Sequence, residues 1–217
     1  MESIGQILPR AIQEVQVQSE TDPPAPRLAS VGYTERWREW VERQEIPSRL
    51  WSASFETGEP SSALTRVLQF IEGEELRDGC CLALMGPTGI GKTYAMVAGL
   101  RTHYRGGGQF WYFPALCSAV LDRENGREVF TSARNTRLLA LDDLGVEYLK
   151  AGGMLEALID ELFWYREGNS LATMVTTNLL PEQLRDRLSD RVVDRLRGDW
   201  GRLYVVTGQS YRGRETT

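Results

Sequence analysis

"GPTGIGKT", Gly86–Thr93, follows the apolar run "CCLALM", Cys80–Met85, and leads into "YAMVAGLRTHYR". These eight residues fit G-x-x-x-x-G-K-[ST] in full, and an apolar strand before them with a helix after is the context the pattern needs. Glycines let the backbone curl until several N–H groups point at one anion. The helix N-terminus adds partial positive charge. The residues of this nucleotide-binding turn are Gly86, Pro87, Thr88, Gly89, Ile90, Gly91, Lys92 and Thr93, with Tyr94 next to them. Lys92 is placed to reach the β- and γ-phosphates of ATP, and the Thr93 hydroxyl to bind Mg²⁺.

Outward from this turn, apolar strands alternate with helical stretches. "QFWYF" (Gln109–Phe113), "RLLAL" (Arg137–Leu141), "LATMVTT" (Leu171–Thr177) and "RLYVVT" (Arg202–Thr207) read as strands. "GMLEALIDELFWYR" (Gly153–Arg166) reads as an amphipathic helix. Continuous apolar strands separated by helices predict a parallel sheet covered on both faces, an α/β fold.

A P-loop nucleotide needs a metal anchor on a nearby strand. "LLALDDLG", Leu138–Gly145, ends four apolar residues in Asp142 and Asp143. That is the C-terminal strand edge, where open α/β sheets bind ligands. Asp142 is assigned to the metal, directly or through water. Asp143 is assigned to polarising the attacking water, with a plain loop or capping role as its alternative. "MVTTNL", Met174–Leu179, is a further apolar strand ending in Asn178, which could hold that water or the γ-phosphate. Near the C-terminus, "DRVVDRLRGDW" (Asp190–Trp200) and "SYRGR" concentrate Arg191, Arg195, Arg197, Arg212 and Arg214.

The chain has 217 residues, enough for one ordinary domain plus an extension. Hydrophobic residues make up 41% and charged residues 25%, which is a globular composition. The net charge of −5 excludes a bulk polyanion binder. Three cysteines, Cys80, Cys81 and Cys117, and a single histidine, His103, offer neither a zinc site nor a disulfide framework. The cysteines are expected as buried thiols and His103 on a surface helix. No signal peptide is visible and no apolar run approaches the roughly 18 residues of a membrane span, so a cytoplasmic protein is expected.

The N-terminal part differs in character. "SETDPPAPRLAS", Ser19–Ser30, has little to bury and reads as a linker. Before it, Ile4, Ile7, Leu8, Ala11, Ile12 and Val15 fall on one helical face, with Pro9 either starting or kinking the helix. That stripe, with Ile4, Leu8 and Ile12 at its centre, docks either on a partner or on its own core. "YTERWREWVERQ", Tyr33–Gln44, reads as a second helix, capped by Thr34, with Trp37, Trp40 and Val41 on one face and an i,i+4 pair Glu39–Arg43. The expected division is 1–30 docking helix and linker, 31–60 helical lead-in, and 61–217 ATPase core.

Taken in order and spacing, "GPTGIGKT … LLALDDLG … MVTTNL … DRVVDRL … SYRGR" resembles the AAA+ ATPases of the DnaC/DnaI class. These are bacterial replicative helicase loaders, and the transposition ATPase IstB is a close relative. The resemblance covers roughly Ile46 to the C-terminus and begins at "IPSRLWSASFE"; the opening "MESIGQILPRAIQ" is more weakly similar to the helical start of the DnaC type. It implies a five-stranded parallel sheet of AAA+ type, with Leu171–Thr177 inserted between the P-loop strand and the Asp-Asp strand. It implies Asn178 as the sensor beside the γ-phosphate. It also implies self-association with ATP at subunit junctions, Arg195 acting in trans on the neighbour's ATP, and Arg212 acting in cis.

The partners so implied are a hexameric replicative DNA helicase and single-stranded DNA. Duplex-dependent regulation of transposition is the alternative, and a small-molecule kinase is disfavoured by the arginine-rich C-terminal element. For DNA contact, Arg123, Arg127 and Arg134 near Phe130 combine cation and aromatic, although a solvated helix-loop fits the same residues. Many AAA+ proteins carry Glu where this chain has Asp143. The shorter carboxylate implies slow, switch-like hydrolysis.

Overall fold

A computed structural model describes residues 35–103, 107–145 and 153–211. The Ile4/Leu8/Ile12 stripe, Pro9, the linker, the Thr34 cap and Arg212 lie outside the described residues.

The first helix, α1 (Glu35–Arg43), buries Trp37, Trp40 and Val41, the face its spacing predicts. The two indoles stack with centroids 5.1 Å apart. On the outer face the i,i+4 pair that closes is Arg38–Glu42, at 3.2 Å. A 3-10 turn, Ser48–Leu50, then brings Trp51 back to α1. The Trp37 indole donates to Trp51 O, and the Trp51 indole donates to Ile46 O, both at 2.7 Å. Two tryptophans thus close this lead-in onto itself without leaving a buried N–H unpaired.

Helices α2 (Ser62–Glu72) and α3 (Glu74–Arg77) follow, with the Ser61 hydroxyl accepting from Leu64 N–H to cap α2. From there strands and helices alternate: β1 (Cys81–Met85), α4 (Lys92–His103), β2 (Gly108–Tyr112), α5 (Phe113–Val120), α6 (Gly126–Asn135) and β3 (Leu138–Asp142). Then come α7 (Met154–Gly168), β4 (Ala172–Thr177), α8 (Pro181–Arg187), α9 (Asp190–Arg197) and β5 (Gly201–Val205). Phe113, expected at the end of a strand, instead opens α5, because Pro114 sits in the first helical turn where its missing N–H costs nothing.

The five strands are all parallel and ordered β2-β3-β4-β1-β5. The strand at Ala172–Thr177 therefore lies between the P-loop strand and the Asp-Asp strand, as the resemblance implies. Alternation along β1 divides the core in two. Leu82 and Leu84 face one layer with α1, α2 and α4. Cys81, Ala83 and Met85 face the other, with α5, α7 and α9. Both faces are covered, so β1, β3 and β4 are buried along their whole length. The three cysteines are buried free thiols, as expected. His103 is half-buried at the end of α4, and burial lowers its pKa.

Arg166 is a departure from the amphipathic reading of α7. It is 1% exposed and spends its guanidinium on two segments, the end of α6 and the start of β4. Nε donates to Thr173 Oγ1, Nη1 to the carbonyls of Ala133, Arg134 and Thr136, and Nη2 to Ala172 O. Burial lowers its pKa to about 10, which leaves it charged at neutral pH.

Candidate nucleotide site

The C-terminal ends of β1, β3 and β4 meet at one crevice. Between β1 and α4 the chain turns through Gly86, Gly89 and Gly91, with φ of 155°, 88° and 90°. A Cβ at Gly86 would stand 2.5 Å from Val206 O, so this turn can pass under β5 only as glycine.

Lys92 opens α4 and is 5% exposed. Its Nζ donates to Gly86 O, Pro87 O and Asn178 Oδ1, each at 2.8 Å. The ammonium is thereby held at the centre of the loop by groups that follow two strands, β1 and β4. Thr93 Oγ1 donates to Asp142 Oδ1 at 2.8 Å, and Thr176 Oγ1 donates to the same oxygen at 2.6 Å. Burial raises the Asp142 pKa, and the neighbouring Asp143 adds to this. The two threonine hydrogen bonds and Lys92 act the other way. Asp143 follows with a φ of +60°, half-buried, and accepts from Asn178 Nδ2 at 3.1 Å. Asn178 thus bridges the lysine and the second carboxylate.

These groups line a cavity of about 440 Å³, within the range of small-molecule sites. Its other walls come from residues the sequence reading did not assign: Arg49, Leu50, Thr57, Glu59 and Tyr211. Tyr94 closes this side, its hydroxyl 3.3 Å from both Ser54 N and Ser54 O. Tyr211 N–H donates to Gly89 O at 2.9 Å, so the chain after β5 crosses the P-loop. The signal for Tyr211 was its adjacency to the arginine in "SYRGR". For Arg49 and Thr57 no sequence pattern marks a wall.

The donor set fits Mg²⁺. One hydroxyl and one carboxylate are hard oxygen ligands on adjoining elements, already oriented at each other. Mg²⁺ favours one or two carboxylates plus phosphate and water over an all-protein cage. Among the described residues no group of three or more His, Cys, Asp or Glu side chains could hold a metal alone. Thr93 and Asp142 would hold the ion, which supplies charge neutralisation at the phosphates.

The remaining assigned residues lie elsewhere. Arg195, on α9, does not line this cavity. Its Nε donates to Glu167 Oε2 of α7 at 2.7 Å, and it borders a separate cavity of about 660 Å³ with Arg191, Glu156, Asp160 and Trp164. Arg191 and Arg197 are exposed. On and before α6, Arg123 and Arg127 are exposed. Phe130 packs partly into the core. Arg134 pairs with Glu161 at 3.2 Å, with its guanidinium 4.3 Å from the Tyr165 ring centroid. Of the four residues assigned to DNA, two are thus engaged within the fold. No helix among the described residues is long and apolar enough to cross a membrane.

No family model and no curated protein matches the chain. Solved structures do. The DnaC helicase loader is 27% identical, with a TM-score of 0.63, over 74% of this chain and 100% of that one. DnaI is 24% identical, with a TM-score of 0.65, over 78% of this chain and 100% of that one. A replication initiator DnaA, bound to AMPPCP and single-stranded DNA, is 19% identical at a TM-score of 0.61. It is matched over 72% of this chain and only 50% of its own length, and shares the fold. By its motifs, its sheet order and these likenesses, the chain has a P-loop NTPase fold of AAA+ type and is similar to the DnaC helicase loader.

Proposed function

We propose that the chain is an ATP-dependent loader that binds the hexameric replicative DNA helicase and delivers it onto single-stranded DNA during replication initiation. The observation that carries this reading is the likeness to the DnaC helicase loader along that protein's whole resolved length. A nucleotide-ready constellation of Lys92, Thr93, Asp142, Asp143 and Asn178 supports it.

In this reading the P-loop would bind the phosphates of ATP, and Thr93 and Asp142 would hold Mg²⁺. Asp143 and Asn178 hold the attacking water, and hydrolysis is slow. Arg195 serves a neighbouring subunit's ATP, and Arg212 this subunit's own. The segment 1–30 grips the helicase through Ile4, Leu8 and Ile12. Residues 31–60 link it to the ATPase core at 61–217. Arg123 and Arg127 offer single-stranded DNA two exposed cations. The protein acts in the cytoplasm.

Native mass measurement of the protein mixed with the host's replicative helicase under ATP tests this. A complex containing both proteins is expected, and it should be lost on deleting Met1–Ser30 while ATPase activity is kept. A truncated protein that still co-purifies with the helicase would remove the docking role. No complex at all, together with assembly on duplex DNA, would turn the reading toward transposition.

A further inference from the structure

Thr176, near the end of β4, is 0% exposed, and its hydroxyl is shared between the two carboxylate residues. It donates to Asp142 Oδ1 at 2.6 Å and accepts from the Asp143 backbone N–H at 3.0 Å. A hydroxyl carries one proton and two lone pairs, so the two contacts use complementary parts of one group.

The surrounding backbone explains why a side chain is needed there. The paired register of β3 with β4 runs only as far as Leu141 opposite Val175. Beyond it, Asp143 has left the extended region, with φ at +60°. Groups of β4 then hold the departing turn. Thr176 O accepts from Leu144 N–H at 2.8 Å, and Thr177 Oγ1 donates to Leu144 O at 2.8 Å. Thr176 is the one of these residues that touches both Asp142 and Asp143.

We propose that Thr176 is a positioning residue of the metal–nucleotide site. It fixes the Asp142 carboxylate toward Thr93 and holds the next peptide so that Asp143 meets Asn178. Thr93 is itself an expected metal ligand, so Thr176 is the hydroxyl partner of Asp142 that is not also an expected ligand. The proposal rests on the nucleotide reading above. Changing a residue that orients a metal ligand from behind typically costs about 10–100-fold in metal affinity or activity.

The test titrates a fluorescent ATP analogue into wild type, Thr176→Val and Thr176→Ser, once in EDTA and once over a Mg²⁺ series, with melting curves alongside. For Thr176→Val the metal-free affinity should stay within about twofold of wild type. Its Mg²⁺ half-saturation should rise about tenfold or more. Thr176→Ser, which keeps the hydroxyl, should return it to near wild type. If Thr176→Val does not fold, Thr176→Cys takes its place, since it keeps the approximate volume with a weaker donor. An unchanged Mg²⁺ half-saturation in the valine or cysteine variant overturns the proposal. So does a serine variant as defective as either, because then the methyl and not the hydroxyl matters. Wild type that binds no nucleotide overturns the nucleotide reading itself, and this proposal with it.

Discussion

Arg195 Nε lies 2.7 Å from Glu167 Oε2, an ion pair that ties α9 to the end of α7 within one chain. The residue proposed to reach a neighbour's ATP is therefore already oriented by its own subunit. The pair is partly exposed, with side-chain accessibilities of 20% and 38%, so its stabilisation is at most about 1 kcal/mol. Arg195→Ala should leave the monomer folded with unchanged ATP affinity, while removing the ATPase stimulation that accompanies assembly. ATP binding measured at concentrations below assembly, beside turnover measured above it, checks this. Loss of binding in the monomer would place Arg195 in cis.

Lys92 offers its ammonium to Gly86 O, Pro87 O and Asn178 Oδ1. Lys92→Ala removes the cation at the centre of the loop. ATP affinity should fall at least a hundredfold, about 2.7 kcal/mol. Calorimetric titration measures it, and a melting curve of the same variant separates loss of the site from loss of the fold. Unchanged affinity would remove the site assignment.

Asp142 leads to opposite effects in one variant. Its pKa is raised above the ordinary 3.8, chiefly by burial. Between the ordinary and the raised value the folded state binds more protons than the unfolded one. Its contribution to stability therefore falls as pH rises through that window. Asp142→Asn should melt at or above the wild-type temperature near neutral pH without nucleotide, and the gap should shrink on acidification. The same variant should lose at least about tenfold in Mg²⁺-dependent ATP affinity. Melting across pH and titration with and without Mg²⁺ read the two effects separately.

Arg166 carries the largest expected stability effect. Replacing it with Leu leaves the carbonyls of Ala133, Arg134, Thr136 and Ala172 without this donor in the protein interior. Each buried acceptor left unpaired costs about 1–3 kcal/mol, so losing several together lowers the melting temperature by about 10 °C in a domain of this size. Arg166→Lys keeps the charge but not the planar fork and should fall between. Differential scanning calorimetry checks both variants.

Local patterns made much of this legible. Lys92, Thr93 and Asp142 sit in short motifs whose chemistry depends on neighbours in sequence, and the alternation of apolar strands with helices carried the sheet. Arg166 was not legible, because its partners come from segments more than 30 residues apart and converge only after folding. Its position at the end of an amphipathic helix reads as exposed. Arg49, Thr57 and Tyr211 were missed for a related reason. They form the wall facing the P-loop from separate parts of the chain, without a spacing rule that marks such a wall. The Glu167 contact of Arg195 is likewise a meeting of two helices that no local pattern encodes.

The backbone at Asp143 decides which changes this position can absorb. Left-handed φ costs an ordinary L-residue about 1–2 kcal/mol, while Asp and Asn enter it several times more readily than most. A change to Glu would extend the acid by one methylene and strain the turn beneath it. A change to Asn would keep the turn intact and discard the charge. Among sequences that keep this bend, a folded protein without the acid lies one easy substitution away, and a longer-armed acid lies behind a backbone barrier.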